Sequence, residues 1–179
     1  SRGAFGRRIG EPQAGWLATV MVGASFVASV ALFLPARGSA GGKGHVLTQR
    51  VFTWIPAGGF RADVAFLADP LSLTMCLFVT GIAALIHLYS IGYMHGDPRL
   101  SRFLAYMNLF VAAMVILVLS RNVLVKYLGW EGVSLCSYLL ISFWFERNSA
   151  AVGGKKSFVT NRVGDFGFLL GMFLLFSKT

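Results

Sequence analysis

Residues 122–145 read NVLVKYLGWEGVSLCSYLLISFWF, a mostly apolar run interrupted near its middle by Glu131. A helix needs about 20 mostly apolar residues to cover the hydrocarbon layer of a membrane, and this run is long enough. An ionisable side chain at its centre costs about 2.5–3.5 kcal/mol on insertion scales, so it is rarely placed by accident. Tyr127, Ser134, Tyr138 and Ser142 stand at helical spacing around Glu131. At about 100° per residue they form one polar stripe, with Leu, Val and Ile opposite. The carboxyl is therefore expected to face other protein or water.

The composition agrees with a membrane chain. Its 179 residues are 56% hydrophobic and 13% charged, where a soluble domain carries about 25% charged residues. The formal net charge of +9 does not point to nucleic acid, because the basic residues are scattered between apolar runs. Loop charges flanking membrane helices account for them better than a single binding face. Cys76 and Cys136 both lie inside apolar runs, which argues against a disulfide framework. The start at Ser1, with an apolar run too long for a signal peptide, is expected of a piece of a longer protein.

Residues 1–13 form a basic flank carrying Arg2, Arg7 and Arg8, and residues 14–35 a first transmembrane helix closed by Pro35. Residues 36–67 change character: GSAGGKG is a loop, and HVLTQRVFTWI and FRADVAFL flank Pro56-Ala57-Gly58-Gly59. That pattern predicts a β-hairpin with a four-residue connection, held outside the hydrocarbon where its edges find partners. Residues 68–94 form the next transmembrane helix, opened by Asp69 as N-cap and Pro70 at the first helical position. His87 near its end is either a hydrogen-bonded interfacial histidine or a proton carrier. Residues 102–120 follow, with Asn108 as helix–helix glue.

The Glu131 helix spans residues 122–145, and residues 150–177 form the last helix, with Lys155, Lys156, Arg162 and Asp165. Arg162 and Asp165 are three apart and share a face. They are either a structural ion pair or part of a charge relay, while the lysines are near enough the helix start to snorkel. The fold class is thus an all-α membrane protein, a multi-span bundle of about five transmembrane helices plus an extramembrane β-hairpin loop. A slight bias of Arg and Lys puts the N-terminus inside and the hairpin outside.

The available chemistry is narrow. The three histidines sit in unrelated segments, no phosphate- or dinucleotide-binding fingerprint follows a strand, and Ser134 has no base beside it. What remains is a set of titratable groups in membrane helices. Desolvation opposes the charged form of a carboxyl and a nearby cation favours it, so a movable cation makes a buried glutamate a proton carrier.

The stretches DPLSLTMCLFVTGIAALIHLYSIGYM, SRFLAYMNLFVAAMVILVLS, NVLVKYLGWEGVSLCSYLLISFW and KSFVTNRVGDFGFLLG resemble a known family. It is the antiporter-like family that includes subunit L of bacterial NADH–quinone oxidoreductase (respiratory complex I) and mitochondrial subunit 5. The large subunit of Mrp-type Na+/H+ antiporters is similar. The resemblance covers residues 68–177, with residues 14–67 matching in layout.

The resemblance implies a subunit distal in the membrane arm, in which inverted repeats of five helices build a proton path. Glu131 matches the family's glutamate on the fifth helix, a proton site coupled to a lysine on a broken seventh helix expected beyond Thr179. The first helix is expected before Ser1. Arg162 and Asp165 match the arginine and aspartate of the charge network beside that site. Lys156 matches the lysine before the aromatic in KAF-like stretches, with Lys155 next to it, and His87 falls at an HxY position.

The implied function is proton translocation coupled to quinone reduction in the bacterial cytoplasmic (inner) membrane. NADH, FMN, Fe–S clusters and quinone are expected in other subunits, with none in this chain. The implied partners are neighbouring antiporter-like subunits and the lipid bilayer, with no nucleic acid. Two alternatives are an Mrp-type Na+/H+ antiporter subunit without redox coupling, and a scaffold whose charges only hold helices together.

Overall fold

The computed structural model of the protein describes residues 11–37, 46–57 and 60–178. The basic residues Arg2, Arg7 and Arg8, the GSAGGKG loop and the Gly58-Gly59 turn lie outside the described residues. The elements are α1 (Glu11–Arg37), β1 (Leu47–Ala57), β2 (Phe60–Ala68), α2 (Pro70–Tyr93), α3 (Leu100–Leu119), α4 (Val123–Ile141) and α5 (Asn148–Lys178). In the helix bundle α2 packs on α1 and α3, and α4 packs on α3 and α5.

Among the described residues four helices, α1, α2, α3 and α5, are long and apolar enough to cross a membrane. The fifth expected crossing, α4, is not among them, because Lys126, Glu131 and several Gly, Ser and Tyr dilute its 19 residues. Its two ends are each tied to neighbouring segments. At the start, Arg121 N donates to Ala65 O at 3.0 Å and Asn122 Nδ2 to Asp63 O at 3.4 Å, tying the helix to β2. Just beyond its other end, Arg99 Nη1 meets Glu146 Oε1 at 2.9 Å, linking the chain to the α2–α3 loop. Helix α4 thus runs antiparallel to α3 over the same depth, about 28 Å at about 1.5 Å per residue.

Several boundaries differ from the sequence expectation for physical reasons. Helix α1 continues through Pro35 to Arg37; within the final turn the missing N–H removes only one bond of the ladder. Helix α4 stops at Ile141 and not at residue 145, because the chain turns there to insert Phe143. Phe143 is 6% exposed, in a cluster with Ala18, Met94, Leu100 and Leu104. Helix α5 begins at Asn148, two residues before the expected start.

The hairpin forms as expected, antiparallel from Leu47↔Ala68 to Ala57↔Phe60, with register irregularities near Val51 and Trp54. Pairing up to Ala57↔Phe60 leaves only residues 58 and 59 between the strands, shorter than the four-residue connection expected. On its other side β2 makes a bridge, Phe66↔Ser120, at the α3–α4 junction. That edge of β2 is therefore partly paired where the chain enters α4.

Helix α2 shows how the bundle sorts its residues. Leu71, Phe78, Leu85 and Tyr89 are exposed, while Ser72, Thr80, His87 and Ser90 are buried. Inside, the hydroxyls bond the helix's own carbonyls: Thr80 Oγ1 to Cys76 O and Ser90 Oγ to Ile86 O, both at 2.6 Å. Large apolar side chains outside and satisfied small polar ones inside suit a lipid surround.

Glycines set the α3–α4 spacing. A Cβ at Gly129 would stand 2.7 Å from Leu117 N and 2.8 Å from Leu117 Cα, and one at Gly132 3.0 Å from Ala113 Cβ. Gly129→Ala is expected to destabilise the protein by about 1–3 kcal/mol, as overpacking does. Gly23→Ala, into open space, should be neutral or slightly stabilising. Thermal unfolding in detergent distinguishes the two variants.

Asp69, just before α2, caps it through Ser72 N at 2.7 Å, and Ser72 Oγ accepts from Asp69 N at 2.9 Å, completing a capping box. The Ser72 N–H holds the Asp69 carboxyl below its usual range. Its stabilising contribution is therefore complete above the unfolded-state pKa and is lost as pH falls through the lowered folded value. Asp69→Ala should cost about 1 kcal/mol near neutrality. Asp69→Asn should keep most of the cap but lose this part of the acid-induced destabilisation in the same unfolding measurement.

Candidate proton-handling site between α4 and α5

The polar stripe of α4 meets α5 in an antiparallel ladder. Ser142 lies against Gly154, where a Cβ would run into the Ser142 hydroxyl and stand 3.4 Å from the Tyr138 ring. Tyr138 packs on Phe158, ring centroids 5.5 Å apart. Further along, Tyr127 and Trp130 stack on Phe168 at 5.4 and 6.0 Å. This register brings Glu131 opposite Arg162.

Arg162 Nη1 donates to Glu131 Oε2 at 2.7 Å, and Tyr127 Oη donates to Glu131 Oε1 at 2.6 Å. Both carboxylate oxygens are thus engaged. Tyr127 precedes Glu131 by four residues, so one helical turn aligns the donor with its acceptor. Arg162 also faces Asp165 on its own helix, Nε to Oδ2 at 3.6 Å, which is an ionic contact beyond hydrogen-bond reach. Its guanidinium lies 4.7 Å from the centre of the Phe158 ring.

Asp165 is the most enclosed member, its side chain 3% exposed against 20% for Glu131 and 45% for Arg162. Its Oδ1 accepts from Trp130 Nε1 at 2.7 Å, while Oδ2 has no hydrogen-bond partner. The geometry is therefore two carboxylates around one guanidinium, with a phenol and an indole as fixed donors.

The structure brings together three of the five residues singled out from sequence, Glu131, Arg162 and Asp165. Lys156 and its neighbour Lys155 are exposed on the early part of α5, and among the described residues neither makes an ion pair or hydrogen bond with a side chain. His87 is fully buried on α2, separated from the cluster by α3. Its Nδ1 is 2.7 Å from Ala83 O and its Nε2 has no partner.

Sequence reasoning missed Trp130 and Phe168. An indole in a membrane helix needs an acceptor for its N–H, and that requirement was the available signal for Trp130. Phe168 carries no such signal, because it sits in the apolar FGFLLG run.

Residues 54–104 match the family described as NADH-Ubiquinone oxidoreductase (complex I), chain 5 N-terminus. Residues 120–179 match the one described as NADH:quinone oxidoreductase/Mrp antiporter, TM. Together the matches take in more than half of the 179 residues. NADH-quinone oxidoreductase subunit L of Mycobacterium tuberculosis is 53% identical over 133 residues, 74% of this chain and 21% of that protein. Subunit L of Neisseria meningitidis is 40% identical over 174 residues, 97% of this chain and 25% of that protein. NADH-ubiquinone oxidoreductase chain 5 of Allomyces macrogynus is 47% identical over 130 residues, 73% of this chain and 20% of that protein.

The chain spans about a fifth to a quarter of the length of these relatives. All three are named as subunits of the quinone oxidoreductase, and Mrp antiporters enter through the description of the second match. With α4, α5 and their charge cluster inside that match, the chain belongs to the antiporter-like membrane subunit family of NADH–quinone oxidoreductase.

Proposed function

We propose that this chain is part of a proton-translocating subunit of NADH–quinone oxidoreductase, with Glu131 as its protonatable group. The observation that carries the reading is charge balance. Glu131 and Asp165 present two carboxylates to the single guanidinium of Arg162 between two membrane helices. A surplus negative charge away from water is costly, and a proton or another cation relieves it. Glu131 is the better placed to exchange that proton, being the less enclosed of the two carboxylates.

A proton arriving at Glu131 Oε2 competes with Arg162 for that oxygen. Withdrawal of the guanidinium favours uptake, and its return favours release. Quinone reduction in other subunits would supply the charge displacement that moves Arg162. In this scheme Lys156 delivers charge toward the cluster from the start of α5, and His87, with its free Nε2, serves a separate step in α2.

NADH, FMN, Fe–S clusters and quinone belong to other subunits on this reading, and the enzyme is the whole complex. Neighbouring antiporter-like subunits are its partners in the bacterial cytoplasmic membrane, with the N-terminus inside and the hairpin outside.

The test is Glu131→Gln in the assembled complex, following quinone reduction and proton uptake into vesicles together. The expected result is normal assembly with protons pumped per quinone reduced falling by about tenfold or more, a change of about 1.4 kcal/mol or more. Unchanged pumping would leave the cluster a scaffold.

A further inference from the structure

We propose that Trp130 is a positioning residue that decides which carboxylate holds Arg162, an inference that rests on the proton-site reading of Glu131. The guanidinium is divided unequally: 2.7 Å to Glu131 Oε2 but 3.6 Å to Asp165 Oδ2. Burial would favour the opposite division, since the more enclosed carboxylate has the greater need of a cation. Trp130 removes that need. Its indole N–H, 2.7 Å from Asp165 Oδ1, is the one hydrogen bond this side chain receives among the described residues.

The donor is itself fixed. Phe168 stacks on Trp130 and Tyr127, so one α5 ring orients both donors, the indole toward Asp165 and the phenol toward Glu131. Around these groups the charged and titratable side chains are Tyr127, Glu131, Arg162 and Asp165. Helix α3, which also packs on α4, brings the apolar Leu117 and Ala113 to this level.

Without the indole N–H, Asp165 would be a buried carboxylate with no hydrogen-bond donor. Arg162, already 3.6 Å away, is the group within reach to supply one. Arg162 would then turn toward Asp165 and release Glu131 Oε2. The indole thereby keeps the movable cation on the exchangeable carboxylate.

The experiment uses the assembled complex with Trp130→Phe, Trp130→Leu, Asp165→Asn and the double variant Trp130→Phe/Asp165→Asn. Trp130→Phe keeps a ring for Phe168 and loses only the donor. Protons pumped per quinone should fall about tenfold, the scale of one hydrogen bond to a charged group, and equally in Trp130→Phe and Trp130→Leu. In the Asp165→Asn background Trp130→Phe should add no further loss. The infrared carboxylate band that Asp165→Asn removes should shift in Trp130→Phe, a change that lost packing alone does not produce.

An unmoved band overturns the proposal. So does a loss in Trp130→Leu alone, or losses that multiply in the double variant. Pumping retained in Glu131→Gln would instead overturn the proton-site reading, while the band still reports whether Trp130 holds Asp165.

Discussion

Arg162 is the interaction on which the charge balance between α4 and α5 turns, because one guanidinium answers two carboxylates on two helices. Its position follows from packing that involves no charge. Gly154 lets α5 settle onto Ser142, Tyr138 meets Phe158, and Tyr127 and Trp130 meet Phe168. These contacts fix the antiparallel register on either side of the ion pair. A one-residue slip would rotate Arg162 about 100° away from Glu131. The aromatic ladder therefore sets the electrostatics, and the ion pair does not have to hold the helices in place.

The opposite face of α4 is built on a different principle. Gly129 and Gly132 let α3 approach until a methyl group at Gly129 would meet the backbone of Leu117. Glycine inside a helix costs about 1 kcal/mol relative to alanine. The return is close backbone contact, which in lipid replaces the hydrophobic drive that water supplies elsewhere. The GWEG stretch thus serves two neighbours at once. Its glycines face α3, Glu131 faces Arg162, and Trp130 reaches Asp165.

Much of this was legible in the sequence. Apolar run length marked the helices, Pro56 to Gly59 marked the hairpin, and Asp69-Pro70 marked the start of α2. The stripe through Tyr127, Glu131, Tyr138 and Ser142 marked the face that meets α5, because helical periodicity alone places those residues together. What was not legible depends on another element. The early end of α4 is set by Phe143 entering a cluster with residues of α1 and α3. Trp130 lies about 100° from Glu131 on α4, and only the position of Asp165 on α5 reveals its purpose. The separation of His87 from the cluster follows from α3 lying between α2 and α4, which no local pattern encodes.

Helix α4, which carries Glu131, is also the one whose own composition argues least for crossing a membrane. Glu131, near its middle, would burden an isolated α4 in lipid by about 2.5–3.5 kcal/mol, whereas Lys126 in its first turn can snorkel. In the folded chain Glu131 receives two donors, and α3 and α5 cover the two faces that carry the glycines and the polar stripe. Hydrogen bonds to β2 fix one end, and the Arg99–Glu146 pair fixes the chain just past the other. The cost of a charge in the bilayer is therefore met partly by neighbours and not by α4 alone. In the folded chain α4 is thus the middle member of a three-helix unit, between α3 and α5. The carboxylate it carries is held there by donors from two helices, Tyr127 of α4 and Arg162 of α5, so the ionisable group of α4 depends on its neighbour for one of its two partners.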